Sequence, residues 1–90
     1  MPKDLLTELK VRAAKPESRS YKLSDGGGLF LLVKPNGSKL WRWKYRIDGK
    51  ENLYAIGPYP DVGLSDARTE RDSARQLVKQ GIHPSHDRQE

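Results

Sequence analysis

Residues 39–46 (Lys-Leu-Trp-Arg-Trp-Lys-Tyr-Arg), in which ring and cationic side chains alternate from Trp41 to Arg46, constrain the fold of this chain more than any other segment. Successive side chains of a β-strand point to opposite faces of the sheet. One face of this strand therefore carries Trp41, Trp43 and Tyr45, and the other carries Leu40, Arg42, Lys44 and Arg46. Such a strand buries its rings in a core and holds its cations about 7 Å apart in water. The run predicts a sheet with one covered face and one open face.

Further strands are predicted on both sides of this run. An apolar segment rich in strand formers, residues 29–34, precedes it, and residues 50–56 follow it. The two connections contain Asn36-Gly37 and Asp48-Gly49, pairs that accept the positive φ of a tight hairpin. With a short strand over residues 20–24, we predict an antiparallel meander of three to four strands in an α+β domain.

A C-terminal helix is predicted to cover the aromatic face of the sheet. Residues 57–60 (Gly-Pro-Tyr-Pro) are expected to end the last strand, because proline cannot donate a hydrogen bond within a ladder. Residues 66–80 then show helical spacing, with Ser65 as the predicted N-cap and Gly81 as the C′ residue. The apolar stripe consists of Ala67, Ala74, Leu77 and Val78, and Glu70 and Arg71 interrupt it. Tyr54 and Ile56 are expected to pack beneath the helix with the rings.

A short N-terminal helix is predicted over residues 8–14. Thr7 is its expected N-cap, and Leu6 before the cap is placed to pack onto Val11. Pro16 limits the helix, since the residue before a proline disfavours helical geometry.

Composition excludes several classes of protein. Ninety residues make one small domain, and a hydrophobic fraction of 34% leaves the aromatic rings as the largest parts of the core. The absence of cysteine rules out disulfides and thiolate zinc sites and fits a reducing cytoplasm. No long apolar run marks a secretory signal or a membrane span.

The positive charge is concentrated in the first part of the chain. Residues 1–50 contain 12 Lys and Arg against 5 Asp and Glu, whereas residues 51–90 contain 5 against 7. A basic row on an open sheet face suits a polyanion, most commonly a nucleic acid. The candidate contacts are Arg42, Lys44 and Arg46 at the centre, Lys39 and Lys50 at the rim, and Lys34, Asn36 and Ser38 in the adjoining turn.

Other readings of these residues remain open from the sequence alone. The rings of the aromatic face would stack on unpaired bases if the helix packed elsewhere. The basic face would equally suit an acidic protein partner or a neighbouring subunit, or serve only to keep the sheet soluble. Residues 24–28 (Ser-Asp-Gly-Gly-Gly) lack the ending of a phosphate loop and lie between strands, so they are predicted to form a turn.

No catalytic residue, metal site or cofactor is predicted. His83, His86 and Asp87 form an incomplete ligand set in a chain without cysteine. No nucleophile stands in a spacing that pairs it with a base.

Several segments occur in an order that resembles one protein family. They are Leu6–Ala13 (LTELKVRA), Tyr21–Leu31 (YKLSDGGGLFL), Gly37–Trp43 (GSKLWRW), Gly57–Pro60 (GPYP) and Gly81–Pro84 (GIHP). The chain resembles the N-terminal DNA-binding domain of bacteriophage and genomic-island integrases of the satellite-phage P4 type, within the tyrosine recombinase family. The likeness spans nearly all of residues 5–85.

The resemblance implies a module that binds duplex DNA at the arms of attachment sites, in support of site-specific DNA integration and recombination by a prophage integrase. Residues 1–84 are then the DNA-binding domain, and residues 85–90 lead toward absent core-binding and catalytic domains. The His-x-x-Arg motif of the catalytic domain is missing, so the fragment is not expected to be an enzyme. Other integrase protomers are implied as partners, with no membrane, in the bacterial cytoplasm at the nucleoid.

Overall fold

A computed structural model of the chain describes residues 5–84 and shows an antiparallel sheet with two helices. The elements are α1 (Glu8–Ala13), β1 (Tyr21–Gly26), β2 (Leu29–Val33), β3 (Lys39–Ile47), β4 (Lys50–Tyr59) and α2 (Leu64–Lys79). The strands lie side by side in chain order, so the predicted α+β meander is confirmed with four strands. The linker predicted over residues 85–90 falls outside the described residues. Within residues 5–84, no helix has the length and apolar character needed to cross a membrane.

The sheet has one covered face and one open face, as the alternation in β3 predicts. Trp41, Trp43 and Tyr45 are all buried, with Trp41 0% exposed. Leu31 on β2 pairs in register with Trp41 and is also buried, because cross-strand partners share a face. Helix α2 packs across this face against β2, β3 and β4. The core therefore lies between the sheet and α2, with α1 contributing Val11.

The buried indole rings keep their polar atoms paired at the margins of the core. Trp41 Nε1 donates to the Val62 carbonyl at 2.7 Å, and Trp43 Nε1 donates to the Gly27 carbonyl at 2.9 Å. Gly28 beside it must be glycine, since a Cβ there would lie 2.5 Å from the carbonyl oxygen of Lys44. Of the predicted turn over residues 24–28, Ser24–Gly26 belong to β1 instead, and Gly27 and Gly28 form the turn that packs against the ring of Trp43.

Strand β4 is longer than predicted. It continues through Gly57 and Pro58, and Ile56 forms a bulge where the pairing with β3 shifts by one residue. β4 is an edge strand, and the Pro58 carbonyl accepts a hydrogen bond from the Val62 N–H at 2.8 Å, on the side away from β3. The backbone of Pro58 is therefore not needed for pairing with β3, and its missing N–H interrupts no ladder bond. The prediction that the strand spans only residues 50–56 is wrong for this reason.

The ends of α2 were predicted correctly on one side only. The helix begins at Leu64 with Gly63 as N-cap, so the prediction of Ser65 as the cap is wrong. Leu64 is buried, and the earlier start brings its side chain into the core. Gly81 has φ 78° at the C′ position and donates to the Val78 carbonyl at 2.9 Å, as predicted for a left-handed cap.

Helix α1 follows its predicted start and ends one residue early. Thr7 is the N-cap, and its hydroxyl accepts from the Lys10 N–H at 3.2 Å. Leu6 and Val11 are both buried in the core, in agreement with the predicted packing across the cap.

A buried carboxylate at the end of β1 joins this strand to the N-terminal segment and α2. Asp25 is 0% exposed and accepts two hydrogen bonds from the Arg68 guanidinium, each at 2.9 Å, and one from the Leu6 N–H at 2.8 Å. Arg71, 2% exposed, places Nη1 3.5 Å from the same carboxylate. The sequence predicted a turn at Asp25, but this residue lies at the end of β1. Arg71, which interrupts the apolar stripe in sequence, is buried beside Asp25 because their charges neutralise each other in the interior.

Replacement of Asp25 by asparagine is expected to lower the free energy of unfolding by about 3 kcal/mol or more, because it removes the carboxylate that neutralises two guanidinium groups. Urea unfolding at neutral pH, followed by the fluorescence of the buried tryptophans, measures the change. Asp48→Asn is the matched control. Asp48 is exposed in a turn at φ 53°, a conformation asparagine tolerates, so its variant should stay within about 0.5 kcal/mol of the parent. Equal losses in the two variants would contradict the role given to Asp25.

Candidate nucleic-acid interface

The open face of the sheet is the surface opposite the helices, and all four strands contribute side chains to it. The pairing registers assign the residues, because partners across a ladder point to the same side. The open face comprises Lys22 and Ser24 of β1, Phe30 and Leu32 of β2, Leu40, Arg42, Lys44 and Arg46 of β3, and Glu51, Leu53, Ala55 and Pro58 of β4. It is a mixed cationic and apolar surface.

The structure places the three central candidates in one row along β3. Lys44 and Arg46 are exposed and Arg42 is partly exposed. β3 has hydrogen-bonded neighbours on both sides, and its opposite face is fixed by Trp41 and Trp43 in the core. The row from Arg42 to Arg46 is about 13 Å long, from a rise of about 3.3 Å per residue. These cations therefore stand on a rigid support.

Lys39 belongs to the covered face, and its predicted place at the rim of the basic row is wrong. Its Nζ donates to the Val11 carbonyl at 2.8 Å and to the Arg12 carbonyl at 3.1 Å, and it lies 5.5 Å from the ring centroid of Tyr59. The Lys39 ammonium thus satisfies two backbone carbonyls in the last turn of α1, where its positive charge also interacts favourably with the negative end of the helix dipole. Side-chain alternation with Trp41 two residues later was the signal available in the sequence.

The other predicted contacts lie at opposite ends of the sheet. Lys50 is exposed at the start of β4, after a turn in which Asp48 and Gly49 both have positive φ. The remaining three, Lys34, Asn36 and Ser38, lie in the β2–β3 turn at the far end. In that turn the Asn36 side chain accepts from the Ser38 N–H at 2.9 Å, and only Gly37 has positive φ. Lys50 pairs in register with Ile47 and therefore belongs to the covered side of the sheet, beside the Arg46 end of the row. The turn residues lie apart from the row at the other end.

Lys22 is a cation of the open face that sequence reasoning missed. It is exposed on β1, and its Nζ lies 4.8 Å from the ring centroid of Phe30. Phe30 is only 7% exposed despite its position on the open face. A shallow depression, lined in part by these two residues and Lys44, connects β1 to the row. The alternation of Tyr21 and Leu23 around Lys22 could have indicated its side of the sheet.

Glu51 places a negative charge within the basic surface. Its carboxylate lies 3.0 Å from Lys44 Nζ, and both side chains are about half exposed. The hydrogen bond and charge of Lys44, with smaller effects from Arg46 and Lys22, lower the pKa of Glu51 below its ordinary value of 4.5. Glu51 is therefore ionised at neutral pH and reduces the positive potential around Lys44.

The aromatic side chains of β3 are not available to stack on bases, so that alternative is contradicted. Trp43 is 4% exposed and stacks on Tyr45 with ring centroids 5.1 Å apart. The Tyr45 hydroxyl lies 3.0 Å from His83 Nδ1, which gives that histidine a structural role. In residues 5–84 no group of three His, Cys, Asp or Glu could hold a metal ion. His86 and Asp87, which complete the incomplete ligand set named from the sequence, lie outside the described residues.

Comparison with known proteins relates the whole chain to integrases. The family model of the arm DNA-binding domain matches residues 6–90. The chain is 48% identical over 85 residues to the integrase of Enterobacteria phage P4, and 46% identical over 86 residues to prophage integrase IntZ of Escherichia coli K12. It is 42% identical over 80 residues to the integrase of Shigella phage Sf6. These alignments cover 92%, 93% and 89% of this chain but only 19%, 21% and 21% of the relatives, so the chain spans about a fifth of their length.

The titration of Glu51 tests the electrostatics of the open face. Its carboxyl resonance in an NMR titration should have a midpoint below 4.5. Since the folded-state pKa lies below the unfolded value, the ion pair stabilises the fold above the unfolded pKa, and this is lost as pH falls through the folded pKa. Lys44→Met should return the midpoint toward 4.5. Lys50→Met is the control, because Lys50 is not among the cations that lower the pKa of Glu51, and it should leave the midpoint low. A midpoint that does not respond to Lys44→Met would contradict the assignment.

Proposed function

The chain belongs to the arm DNA-binding domain family, and on that premise we propose that it binds duplex DNA through the open face of its sheet. The observation that carries the proposal is the one-sided cover of the sheet. Helices and rings fill one face, and the other presents Arg42, Lys44 and Arg46 in a row. Strands of this kind fit the major groove, which is about 12 Å wide. The row, about 13 Å long, matches that width.

The residue types suit both groups that duplex DNA offers. Arginine makes bidentate contacts to phosphate or to the guanine edge, and lysine mainly neutralises phosphate charge. Arg42, Lys44 and Arg46 are the proposed centre of the contact, with Lys50 beside one end and Lys22 added from β1. Lys34, Asn36 and Ser38 are proposed to reach the DNA backbone at the other end of the sheet. Lys39 is left out because it holds α1.

We also propose that the complete protein is a site-specific tyrosine recombinase, and that this domain anchors it at the arms of attachment sites without cleaving DNA itself. The relatives that cover the chain are integrases. The domain's own tyrosines support a non-catalytic role. The hydroxyls of Tyr21, Tyr45 and Tyr54 hydrogen-bond to protein groups on the covered side, and Tyr59 lies there beside Lys39. None of them is placed to attack DNA bound on the open face.

Removal of two arginines from the row should abolish most DNA binding. Arg42→Ala with Arg46→Ala is expected to weaken binding to a duplex attachment-site arm, measured by fluorescence anisotropy, by about a hundredfold or more, because charged hydrogen bonds contribute about 1.5–3 kcal/mol each. The matched control is Arg12→Ala with Arg19→Ala, two exposed arginines outside the open face with the same change in net charge. Equal losses for the two double variants would show that only net charge matters and would contradict the proposed face.

The salt dependence of binding measures the number of phosphates that the face contacts. With about four phosphates neutralised, the logarithm of the association constant should fall with the logarithm of salt concentration at a slope of about −3.6. A single strand of the same sequence should bind more weakly and leave the tryptophan fluorescence unchanged, because both indoles are buried. Quenching by single strands alone would contradict duplex binding by this face.

Glu51 is expected to oppose DNA binding. Glu51→Gln removes a charge that repels phosphate and competes for Lys44, so affinity for duplex should rise about twofold to fivefold at low salt, as expected for one exposed charge pair. Asp61→Gln, at an exposed position after β4 and outside the open face, is the control for net charge and should have a smaller effect. An unchanged affinity for Glu51→Gln would mean that DNA does not approach this part of β4.

A further inference from the structure

Leu53 is an exposed apolar side chain in the middle of the cationic open face. It is 49% exposed and pairs in register with Lys44, the central cation of the row. Its neighbours on the same face of β4 are Glu51 and Ala55, each two residues away. Within residues 5–84 the exposed large hydrophobic side chains are Leu5, Leu9, Leu53 and Ile82, and Leu53 is the one that belongs to the open face.

The fold gives no reason for a leucine at this position. Phe30 is also on the open face, but Lys22 lies over its ring and it is 7% exposed. Leu53 by contrast remains half exposed, and it is not part of the hydrophobic core. A polar side chain would be compatible with the same strand, since the partner across the ladder is a charged lysine. The exposed surface is thus available to a ligand.

The chemistry of the major groove leaves one partner for such a side chain. Base edges in that groove display hydrogen-bond donors and acceptors, and the 5-methyl group of thymine is the one apolar group among them. Packing a leucine against the polar edges would desolvate them without a hydrogen bond, which is unfavourable. Packing it against the methyl group removes apolar surface of both from water.

We propose that Leu53 is a specificity residue that contacts a thymine 5-methyl group when the open face lies in the major groove. This inference rests on the proposed function, because it requires the β3 row to bring β4 over the base edges. Phosphate contacts by Arg42 and Arg46 are the same for every sequence, so they orient the domain without selecting a site. Leu53 adds a contact that depends on the base.

Replacement of thymine by uracil isolates the methyl group, since the two bases differ only at that position and form the same pair with adenine. The probe is a short duplex selected by this domain from a random-sequence library, with its thymines replaced by uracil one at a time. At the contacted position the parent domain should lose about fourfold in affinity, the value for one buried methyl group. Leu53→Ala should bind the thymine and uracil forms of that position equally, with a melting temperature within about 4 °C of the parent, as for an exposed site.

Leu9→Ala is the matched control, because Leu9 is 70% exposed on α1, away from the open face. This variant should keep the fourfold preference for thymine. The inference is overturned if the parent binds every uracil form as tightly as the thymine form, or if Leu53→Ala weakens both forms by the same factor. In either case duplex binding that still depends on Arg42 and Arg46 would leave the proposed function standing. A parent domain that binds no duplex would overturn both.

Discussion

The buried contact of Asp25 with Arg68 and Arg71 is the interaction on which the arrangement of this domain depends. It joins residues 43 positions apart, and the same carboxylate holds the Leu6 N–H. The buried apolar side chains of α2 are few, namely Leu64, Ala67 and Ala74, and hydrophobic packing is not directional. A bidentate guanidinium–carboxylate contact is directional, and it therefore fixes where α2 crosses the sheet. Charges that would be costly alone in the interior are neutralised by each other.

The position of α2 decides which side chains remain for function. Because the helix lies over the rings of β3, Trp41 and Trp43 form the core and their indole N–H groups bind carbonyls at its margins. The cations between them in sequence are then left on the open face by alternation alone. The buried rings of the covered side fix the position of β3, so in the proposed DNA complex its cations meet DNA from a preorganised surface and lose little entropy on binding.

The features that could be predicted from the sequence are those set by neighbouring residues. The long alternation in β3, the Asp48-Gly49 turn and the Gly81 cap each depend on a few adjacent side chains or on backbone φ, and all three are present. The misses depend on partners far along the chain. Asp25 resembled a turn residue because Arg68 is distant in sequence. Lys39 was assigned by its charge, although its face follows from the register and its ligands are the carbonyls that α1 brings to it.

In the proposed DNA complex, the adjacent strands β3 and β4 of the open face have different roles. β3 carries three cations. Their proposed contacts with phosphate do not depend on base sequence, so we expect this strand to supply affinity and orientation. β4 carries Glu51 and Leu53 opposite them. The carboxylate repels phosphate, and the alkyl group would remove water from phosphate without offering a hydrogen bond in its place. Both side chains disfavour contact between β4 and the DNA backbone, and Leu53 favours a position of this strand over the base edges, where it can meet a thymine methyl group. With the proposed orientation, discrimination between sequences therefore resides on the edge strand, and substitutions there alter the preferred site more than the salt dependence of binding.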